Sequence, residues 1–472
     1  MGKKKRVIII GAGPAGITAA LKLSETENDV RLYESTPKVG GMSKTIKLWD
    51  QLVDIGPHRF FSSDRRVNEL WLDIIKDDYL MVSRKTRIFY KQKYFSYPIK
   101  AFESLLKLGI FESFSCVYSY IFKPKFKKIE TFEQWVISRF GVKLYSIFFK
   151  SYSEKLWGIR CDELDYEFAA QRIKKLSLYE IIKETIRKTQ KHKTLVDEFA
   201  YPYQGTGSVY EKMAKKICDN GSKIFLDHKI NKVVTVNNRI TGIEDMEGKF
   251  IECDHLISTM PITSLVKFLG LTDTTFDNAI AKLKFRNTII VYLEIDSINL
   301  FEDQWLYIHS PELKVGRITN FRNWSQELCK SCDKTIIAME YWANHDDNFW
   351  GKNDEFLIKL AKNELQKSGL NQNADISKGF VLRIPRCYPI YHKGYRKSLD
   401  VIKNALKDFE NLSVIGRYGS FKYNNQDHSI LMGINAANNI NGISEVDLWE
   451  VNSDYDYQEK ALITKTGLKD FE

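Results

Sequence analysis

Long hydrophobic runs are missing from this sequence. Nowhere do about 18 uncharged apolar residues follow one another, so we expect no membrane-spanning helix. Cysteine is sparse too: the seven residues are scattered and odd in number, which argues against a disulfide framework and favours a reducing compartment, by default the cytoplasm. Cys329 and Cys332 have the C-x-x-C spacing, but no second pair completes a zinc site, so we predict no metal there.

Proline is also rare, with ten residues in 472, and the chain has neither internal repeats nor low-complexity tracts. Domain boundaries therefore have to be inferred from changes of pattern. The length predicts about two to three domains. A hydrophobic fraction of 43% and a charged fraction of 28% are typical of a globular protein.

The net charge of +11 is concentrated in one region. Between Arg84 and Lys128 there are eleven Lys and Arg, two acids and twelve Phe and Tyr. This composition predicts either a helical region with a solvated basic face or a surface that contacts a membrane or a lipid-linked substrate. No nucleic-acid-binding motif accompanies it, so we predict no nucleic-acid partner.

The N-terminal segment KKKRVIIIGAGPAGITAALKL carries a nucleotide-binding pattern. The apolar, β-branched run Val7–Ile10 predicts a buried strand of a parallel sheet. Gly11, Gly13 and Gly16 then follow the G-x-G-x-x-G spacing, which permits a tight turn, close approach of a pyrophosphate, and packing of helix on strand.

The surroundings of this glycine turn strengthen the prediction. A helix is expected to begin near Pro14, so that its free N–H groups face the phosphates. Glu34 ends the next apolar segment, VRLYE, at the distance where a carboxylate accepts hydrogen bonds from ribose hydroxyls. We therefore predict a dinucleotide-binding domain of α/β class.

The later pattern predicts a discontinuous organisation. Helical periodicity, with Thr131 as a helix cap, gives way to alternating strand patterns and finally to a strand, a glycine turn and a helix. The predicted domains are a Rossmann-like dinucleotide-binding domain (1–97, 200–262, 405–472), an inserted helical domain (98–199) and a mixed-sheet domain (263–404).

Six further segments, in chain order, resemble those of UDP-galactopyranose mutases, within the FAD amine oxidase and protoporphyrinogen oxidase superfamily. They are DIGPHRFFS, KSYSEKLWG, YPYQGTGSVYEKM, GRIT, CYPIY and GRYGSFKY. The double glycine Gly40–Gly41 is also typical of this superfamily. The resemblance implies that the Rossmann-like domain is an FAD-binding domain and that the mixed-sheet domain is the substrate domain. It also implies a redox-neutral reaction in which N5 of the reduced flavin is the nucleophile toward a UDP-hexose, changing the sugar between pyranose and furanose.

The resemblance also implies a set of cofactor contacts. They are Gly11, Gly13, Pro14, Ala15, Gly16, Glu34, Ser35, Gly40, Gly41, Met42, Ser43, His58, Ile230, Gly416, Arg417 and Asp427. His58 is expected to face the flavin or to be a buried structural histidine. Asp427, which precedes the final predicted helix, is expected to hold the ribityl chain, to cap that helix, or both.

Five residues are implied at the substrate site. Arg172 and Arg317 would bind the leaving diphosphate, because a guanidinium offers a bidentate fork. Tyr388 and Tyr423 would bind phosphate oxygens, and Trp157 would form a wall of the pocket. The alternatives are structural: a helix-surface charge, an ion pair, or packing in the core.

The sequence departs from the mutase pattern in three places. The segment from Trp157 to Arg172 is longer and less proline-rich than in the family. Phe61 stands where the family has a second histidine, and Asn425 where the family has an acid. An FAD-dependent oxidoreductase of the amine oxidase or protoporphyrinogen oxidase type therefore remains the alternative, and a non-catalytic FAD-stabilised scaffold is a third. A nucleotide sugar is the expected partner, while peripheral membrane contact and a homo-oligomer are left open.

Overall fold

The computed structural model describes residues 4–97, 99, 101–166, 198–329, 333–452, 461–464 and 467–470. The chain divides into two compact units, each discontinuous in sequence. Unit 1 comprises Met1–Val82, Phe199–Lys284 and Tyr395–Glu472, and unit 2 comprises Ser83–Glu198 and Phe285–Gly394.

The described strands, in chain order, are β1 Arg6–Ile10, β2 Asp29–Tyr33, β3 Thr45–Leu48, β4 Gln51–Asp54, β5 Tyr79–Ser83, β6 Thr86–Tyr90, β7 Lys93–Ser96, β8 Glu198–Pro202, β9 Lys223–Phe225, β10 Ile230–Val236, β11 Arg239–Asp245, β12 Phe250–Glu252, β13 His255–Ser258, β14 Phe285–Ile295, β15 Trp305–Ile308, β16 Arg317–Asn320, β17 Thr335–Ala343, β18 Ile376–Pro389, β19 Leu412–Val414, β20 Ala461–Thr464 and β21 Gly467–Asp470. The described α-helices are α1 Pro14–Ser24, α2 Arg65–Ile75, α3 Ala101–Leu108, α4 Ile110–Ile121, α5 Phe132–Tyr145, α6 Ser151–Trp157, α7 Gly207–Asp219, α8 Ile262–Phe268, α9 Thr274–Lys282, α10 Asp354–Ser368, α11 Tyr395–Lys407, α12 Gly416–Gly419 and α13 Gln426–Ile440.

Unit 1 is built on a parallel five-stranded sheet in the order β19-β13-β1-β2-β9. The central strand β1 lies between β13 and β2, and Val7 is in register with both His255 and Val30. Val7 and Ile9 are buried in the core. A strand covered on both faces needs an uninterrupted apolar run, which is why VIII contains no polar residue.

Helix α1 packs against α13, so the C-terminal helix completes the domain that the N-terminal strand begins. Ile17 and Leu21 of α1 and Ile430 of α13 belong to the same buried cluster as β1. The return of the chain's C-terminal segment to the nucleotide-binding domain, which the pattern predicted, is present in unit 1.

A separate antiparallel sheet of unit 1, β10-β11-β12, lies between β9 and β13 in sequence. Its first hairpin turns at Asn237 and Asn238, both of which have positive φ angles, 49° and 57°. Asparagine tolerates this left-handed conformation, and two such residues in succession match the twist of the adjoining strands. The Asn-Asn pair therefore forms the turn of this hairpin.

Unit 2 contains a seven-stranded sheet in the order β18-β14-β17-β16-β15-β6-β7. Its neighbours are antiparallel except β15 and β6, which run parallel. Strand β17 is buried along all nine residues, and Leu357, Ala361 and Leu365 of α10 belong to the core cluster built on β14 and β17. These elements form the mixed sheet that the strand-like runs predicted.

Helix α5 begins where the sequence predicted it. Thr131 is its cap, and the hydroxyl accepts a hydrogen bond from the Gln134 N–H at 3.3 Å. A threonine hydroxyl at this position satisfies one of the four N–H groups that a helix start leaves without an intrahelical acceptor.

The predicted α/β fold class is confirmed, but the borders of the two units differ from the predicted domain borders. Residues 83–97, predicted in the FAD-binding domain, supply β6 and β7 to the sheet of unit 2, because β6 pairs with β15. Residues 263–284 and 395–404, predicted in the substrate domain, belong to unit 1, where α9 packs on α11. A separate helical domain at 98–199 stays a prediction.

Candidate functional site

The glycine turn of unit 1 joins β1 to α1. Gly11 donates its N–H to the Tyr33 carbonyl at 2.8 Å, which ties the turn to the end of β2. A Cβ added at Gly16 would lie 2.0 Å from the Gly11 carbonyl oxygen, so no other residue fits where the helix leaves the strand. The geometry matches the role assigned to the third glycine of the pattern.

Glu34 is buried directly beyond β2 and contacts the turn itself. Its carboxylate accepts hydrogen bonds from the Ala12 N–H at 2.9 Å, the Thr36 N–H at 3.0 Å and the Thr36 hydroxyl at 2.6 Å. Ser35, predicted as a cofactor contact, is exposed beside it. The acid is therefore fixed in orientation by backbone donors on both sides.

The double glycine lies against the same turn. Gly40 donates its N–H to the Ala12 carbonyl at 2.8 Å, and Gly41 begins a 3₁₀ turn that contains Met42 and Ser43. Gly41 has a φ angle of +54°, and a Cβ added there would lie 2.9 Å from the Gly13 Cα. The backbones of Gly13 and Gly41 therefore lie close together, without side chains, in the two loops predicted to bind the pyrophosphate.

These residues fit an FAD. The helix α1 N-terminus, with Pro14 and Ala15 in its first turn, carries the backbone donors and the dipole that attract a pyrophosphate. The Gly13–Gly41 approach leaves no side chain between the two loops, and the buried carboxylate of Glu34 is at the end of the neighbouring strand, where a ribose acid is expected.

A buried polar network, which the sequence reasoning missed, supports the loop that carries His58. Asp54, at the end of β4, is fully buried and accepts hydrogen bonds from the Thr45 hydroxyl at 2.6 Å and the Tyr201 hydroxyl at 2.8 Å. It also accepts from the Thr206 N–H at 3.2 Å. The Thr206 hydroxyl in turn donates to the His58 carbonyl at 2.8 Å.

Burial raises the pKa of Asp54 from its ordinary 3.8 to about 6, against the lowering effect of the hydrogen bonds from Thr45, Tyr201 and Thr206. Desolvation of this fully buried carboxylate outweighs the stabilisation of its charged form by the hydrogen bonds. The sequence signal for this network was the segment YPYQGTG, whose tyrosine and threonine supply the donors.

The C-terminal cofactor candidates also lie in unit 1. Gly416 and Arg417 follow β19, and the Arg417 guanidinium donates to the Asn424 carbonyl at 2.7 Å and 3.0 Å. The same guanidinium lies 5.2 Å from the ring centroid of Tyr423. Arg417 and Tyr423, six residues apart, therefore contact each other across a compact loop. Ile230, another predicted cofactor contact, is buried at the start of β10.

The expected position of Asp427 is wrong in one respect. Asp427 does not precede the final helix but lies in its first turn, and Asn425 is the cap. Asn425 and His428 form a reciprocal capping box, in which the Asn425 N–H donates to His428 Nδ1 at 3.2 Å. Asp427 is thus released from capping, and it is buried with one carboxylate oxygen 3.2 Å from the same imidazole nitrogen.

Three of the five predicted substrate residues lie together in unit 2. Arg317, on β16, forms a bidentate ion pair with Glu340 on β17, with N–O distances of 2.7 Å and 2.5 Å. Burial disfavours the guanidinium charge, but Glu340, together with Tyr388 and Tyr152, outweighs burial and holds the pKa of Arg317 well above its usual value. Arg317 is therefore a permanent cation in a largely buried place.

Aromatic rings surround this region. Trp157, at the end of α6, is buried with its ring centroid 6.2 Å from that of Tyr388 and 6.4 Å from that of Tyr391. Tyr152, which the sequence reasoning did not select, stacks on His309 at 4.7 Å. The motif KSYSEKLWG thus supplies Tyr152 and Trp157 from one short helix.

Two further cations of unit 2 were missed. Arg286 donates to the carbonyls of Leu156 and Lys155 at the end of α6, each at 3.1 Å, and so caps the helix that carries Trp157. The Lys155 ammonium donates to the Ser310 carbonyl at 2.7 Å, and burial lowers its pKa to about 8. Both groups position α6, and neither carries a sequence signal beyond the lysine of the motif.

The other two substrate candidates are elsewhere. Arg172 lies outside the described residues. Tyr423 belongs to unit 1, beside Arg417. The roles assigned to all the selected residues stay predictions.

The chain is similar to known proteins over most of its length. The profile of the family described as flavin containing amine oxidoreductase matches residues 14–441, well over half of the chain. A crystal structure of reduced UDP-galactopyranose mutase superposes with a TM-score of 0.84, covering 96% of this chain and 97% of that one at 20% identity. At this identity the likeness shows the fold.

Curated relatives match shorter stretches. A probable UDP-galactopyranose mutase of Klebsiella pneumoniae is 26% identical over 171 residues, which is 34% of this chain and 43% of that protein. A zeta-carotene desaturase of Zea mays is 34% identical over 89 residues, 19% of this chain and 16% of that protein. The chain thus aligns with less than half the length of these relatives.

These findings confirm the resemblance to the superfamily and to the mutase fold, and they confirm FAD as the cofactor. The broader prediction of a flavin-dependent enzyme is confirmed with them. In the part of the chain that the structure describes, no helix has the length and apolar character needed to cross a bilayer.

The contact between the glycine loops yields a testable prediction. Gly41→Ala should lower the amount of FAD that copurifies with the chain, because the new Cβ would enter the space that separates Gly41 from Gly13. The measurement is the ratio of flavin to protein from visible and ultraviolet absorbance.

Gly270→Ala is the matched control. Gly270 also has a positive φ angle, +74°, but a Cβ added there meets nothing within 4 Å. Both variants carry the backbone strain of about 1–2 kcal/mol, and only the first closes the loop contact. Equal flavin content in the two variants would contradict the prediction that the Gly13 and Gly41 loops bind the FAD pyrophosphate.

Asp54 should impose a pH dependence on stability. Its folded pKa is raised, so its contribution to the free energy of unfolding is fully present below about pH 4 and is lost as the pH rises through about 6. The stability advantage of the wild type over Asp54→Asn should therefore fall by up to about 3 kcal/mol between about pH 4 and pH 7. Chemical denaturation of both holoproteins across this range measures it.

Asp296→Asn serves as a control of opposite sign. The hydrogen bond from Lys334 lowers the pKa of the exposed Asp296, so the contribution of its carboxylate is lost as the pH falls. A difference between wild type and Asp54→Asn that stays flat with pH would refute the burial argument.

Proposed function

The chain belongs to the flavin containing amine oxidoreductase family, and from this premise we propose that it is a flavin-dependent isomerase that interconverts the pyranose and furanose forms of a UDP-hexose. The proposal rests chiefly on one observation in unit 2. The guanidinium of Arg317, paired with Glu340, interacts electrostatically with Tyr388 and Tyr152, and the ring centroid of Tyr388 lies 6.2 Å from that of Trp157.

This grouping suits a nucleoside diphosphate. Cleavage of the bond between the sugar and UDP leaves a diphosphate polyanion, and a desolvated guanidinium stabilises the charge that develops on its oxygens. Aromatic rings offer flat apolar surfaces for a base or a sugar face. An apolar amine or a hydrocarbon substrate would need no such cation.

The ion pair with Glu340 is compatible with this role. A guanidinium has five N–H donors, and the bidentate pair uses only Nε and one hydrogen of Nη2. Glu340 fixes the plane of the guanidinium, so the remaining donors of Arg317 are directed without further loss of side-chain entropy when a diphosphate binds. Glu340 is thus a positioning residue in this proposal.

Tyr388 and Trp157 have separate roles. Tyr388 is the penultimate residue of β18, and its hydroxyl would donate to a phosphate oxygen and share the diphosphate with Arg317. Trp157 would orient the ligand through its ring and exclude water from the reacting bond. Arg286 and Lys155 hold α6 in place and so fix the Trp157 backbone.

The cofactor would be held by unit 1, through the backbone of Gly13 and Gly41 and the carboxylate of Glu34. When bound in its reduced form, the flavin supplies a nucleophile for the anomeric carbon with no net redox change. Asp54 and Thr206 fix the His58 carbonyl, so the loop that carries His58 would be ordered before the cofactor binds.

Net oxidation of an amine or an apolar substrate is the competing function. It is favoured by the family profile, which carries the oxidoreductase description, and by Phe61 in place of the second histidine of the mutase pattern. Oxygen consumption with a substrate of that class, and no isomer of any UDP-hexose, would support it.

Arg317→Lys should weaken UDP binding to the holoprotein by roughly tenfold to a hundredfold, because a lysine keeps the charge but loses the fork that meets the diphosphate. Titration of UDP, followed by the change in the flavin absorbance spectrum, measures the dissociation constant.

The matched control is Arg87→Lys. Arg87 forms the same kind of bidentate pair, with Asp303, at 2.9 Å and 2.6 Å on β6 of the same sheet, but it has no place in the proposed site. Arg87→Lys should leave the dissociation constant for UDP unchanged within about twofold. If the two substitutions weaken binding equally, Arg317 acts only through the stability of the sheet.

The reaction itself is tested anaerobically. The holoprotein is incubated with a panel of UDP-hexoses with and without dithionite, and the products are separated by chromatography. We expect a ring isomer only with dithionite, with no reduced or oxidised sugar, because the proposed chemistry has no net redox change.

Tyr388→Phe provides a second variant for this assay. It keeps the ring next to Trp157 and removes only the hydroxyl, so the isomer should form more slowly while the melting temperature stays close to that of the wild type. Absence of an isomer from every UDP-hexose under reducing conditions would overturn the proposal and direct the search to electron donors.

A further inference from the structure

Helix α4 presents an apolar face to solvent. Six of its outward residues and the residue that follows it form what we name the apolar stripe, with exposed fractions from 43% at Val117 to 91% at Phe111. The stripe consists of Ile110, Phe111, Phe114, Val117, Tyr118, Ile121 and Phe122. Scattered exposed apolar residues are ordinary, but a contiguous set on one helix indicates an interaction surface.

The spacing of the stripe is that of one helix face. Phe111, Phe114, Tyr118 and Phe122 recur at intervals of three and four residues, and Ile110, Val117 and Ile121 lie beside them. In a globular protein this face normally turns inward. Here the spacing is that of an amphipathic helix, but the apolar face points to solvent instead of to the core.

Polar contacts on the opposite face fix this orientation. Glu112 forms an ion pair of 2.7 Å with Lys143 of α5, and the Lys143 N–H donates to the Ser119 hydroxyl at 3.0 Å. Ser113 donates to the Leu105 carbonyl of α3 at 2.5 Å, and Cys116 is buried between these contacts. The helix is therefore anchored to unit 2 by its polar side, with the stripe held outward.

A basic cluster follows the stripe directly. We define it as Lys123, Lys125, Lys127 and Lys128, which lie within seven residues of the end of the helix. Lys125 and Lys127 are exposed, and Lys123 lies 4.3 Å from the ring centroid of Tyr120. The acid of the stripe's own helix, Glu112, is already neutralised by Lys143.

We propose that the apolar stripe and the basic cluster dock this protein on the surface of an anionic lipid bilayer. The helix would lie in the plane of the interface with its aromatic side chains among the acyl chains and the lysines at the phosphate level. Twelve residues are too few to cross a bilayer, so the contact is peripheral.

Charge decides between a bilayer and a second copy of this chain. An isologous dimer through the stripe would bring the patch against itself, and the basic clusters of both copies would face a surface of the same sign. An anionic bilayer instead offers apolar depth and opposite charge together, which are the two properties that the patch combines.

Co-sedimentation of the full-length holoprotein with vesicles tests the proposal. We expect the protein to pellet with vesicles that contain phosphatidylglycerol, to pellet much less with pure phosphatidylcholine, and to be released by high salt. Phe111→Ser/Phe114→Ser should weaken binding by roughly tenfold or more, and Lys125→Gln/Lys127→Gln by roughly fivefold per lysine.

Phe250→Ser is the control for loss of an exposed aromatic ring. Phe250 lies in unit 1 with an exposed fraction of 51%, and its substitution should leave vesicle binding unchanged. The melting temperatures of all variants establish that each is folded. The stripe variant should also retain its sugar-isomer activity in solution, so the docking proposal and the isomerase proposal fail independently.

Two results would overturn the proposal. One is equal pelleting of the wild type and Phe111→Ser/Phe114→Ser with anionic vesicles, or pelleting of neither. The other is a dimer in sedimentation equilibrium that Phe111→Ser/Phe114→Ser dissociates while vesicle binding is absent, which would assign the stripe to a second copy.

Discussion

The hydrogen bond from the Ala12 N–H to the Glu34 carboxylate is the constraint on which unit 1 depends. It joins the glycine turn after β1 to the residue that ends β2, while the Ala12 carbonyl accepts from Gly40 on the other side. Ala12 therefore connects its own loop to the loops that carry Glu34 and Gly40. A buried carboxylate with backbone donors is costly to displace, so this arrangement exists before any cofactor is bound.

In unit 2 a buried carboxylate again fixes the position of another group, because Glu340 forms an ion pair with Arg317. A buried ion pair contributes little net stability, because desolvation of both groups offsets their attraction. Its use here is geometric, because the pair keeps Arg317 charged and holds its guanidinium in a fixed plane. Removing either partner leaves an uncompensated buried charge, which is why the control pair of Arg87 and Asp303 is needed to separate stability from binding.

Much of the fold was predictable, because local chemistry determines it. Several local features follow from backbone geometry that few residue types allow. They are the glycine turn, the acid after β2, the Thr131 cap and the Asn237–Asn238 hairpin. Asp427 shows where local reasoning fails. Two neighbouring residues, Asn425 and Asp427, are both good caps, and the choice depended on His428 reaching back, which composition does not reveal.

The site was less predictable than the fold, since its residues act across the sheet. Arg286 is 130 residues from Leu156, whose carbonyl it binds at the end of α6, and no periodicity relates the two. Strand β6 joined unit 2 because it pairs with β15, a contact between segments more than 200 residues apart. Long-range pairing of this kind is fixed by packing rather than by propensity.

Helix α4 is the clearest case of a pattern whose meaning depends on context. Its periodicity predicts a helix with one apolar face, and any globular fold gains by turning such a face inward. The polar anchors Glu112, Ser113 and Ser119 hold it the other way. A surface that leaves several aromatic rings in water is a disadvantage for a protein that remains in water, and it becomes favourable once an apolar medium with anionic headgroups is adjacent.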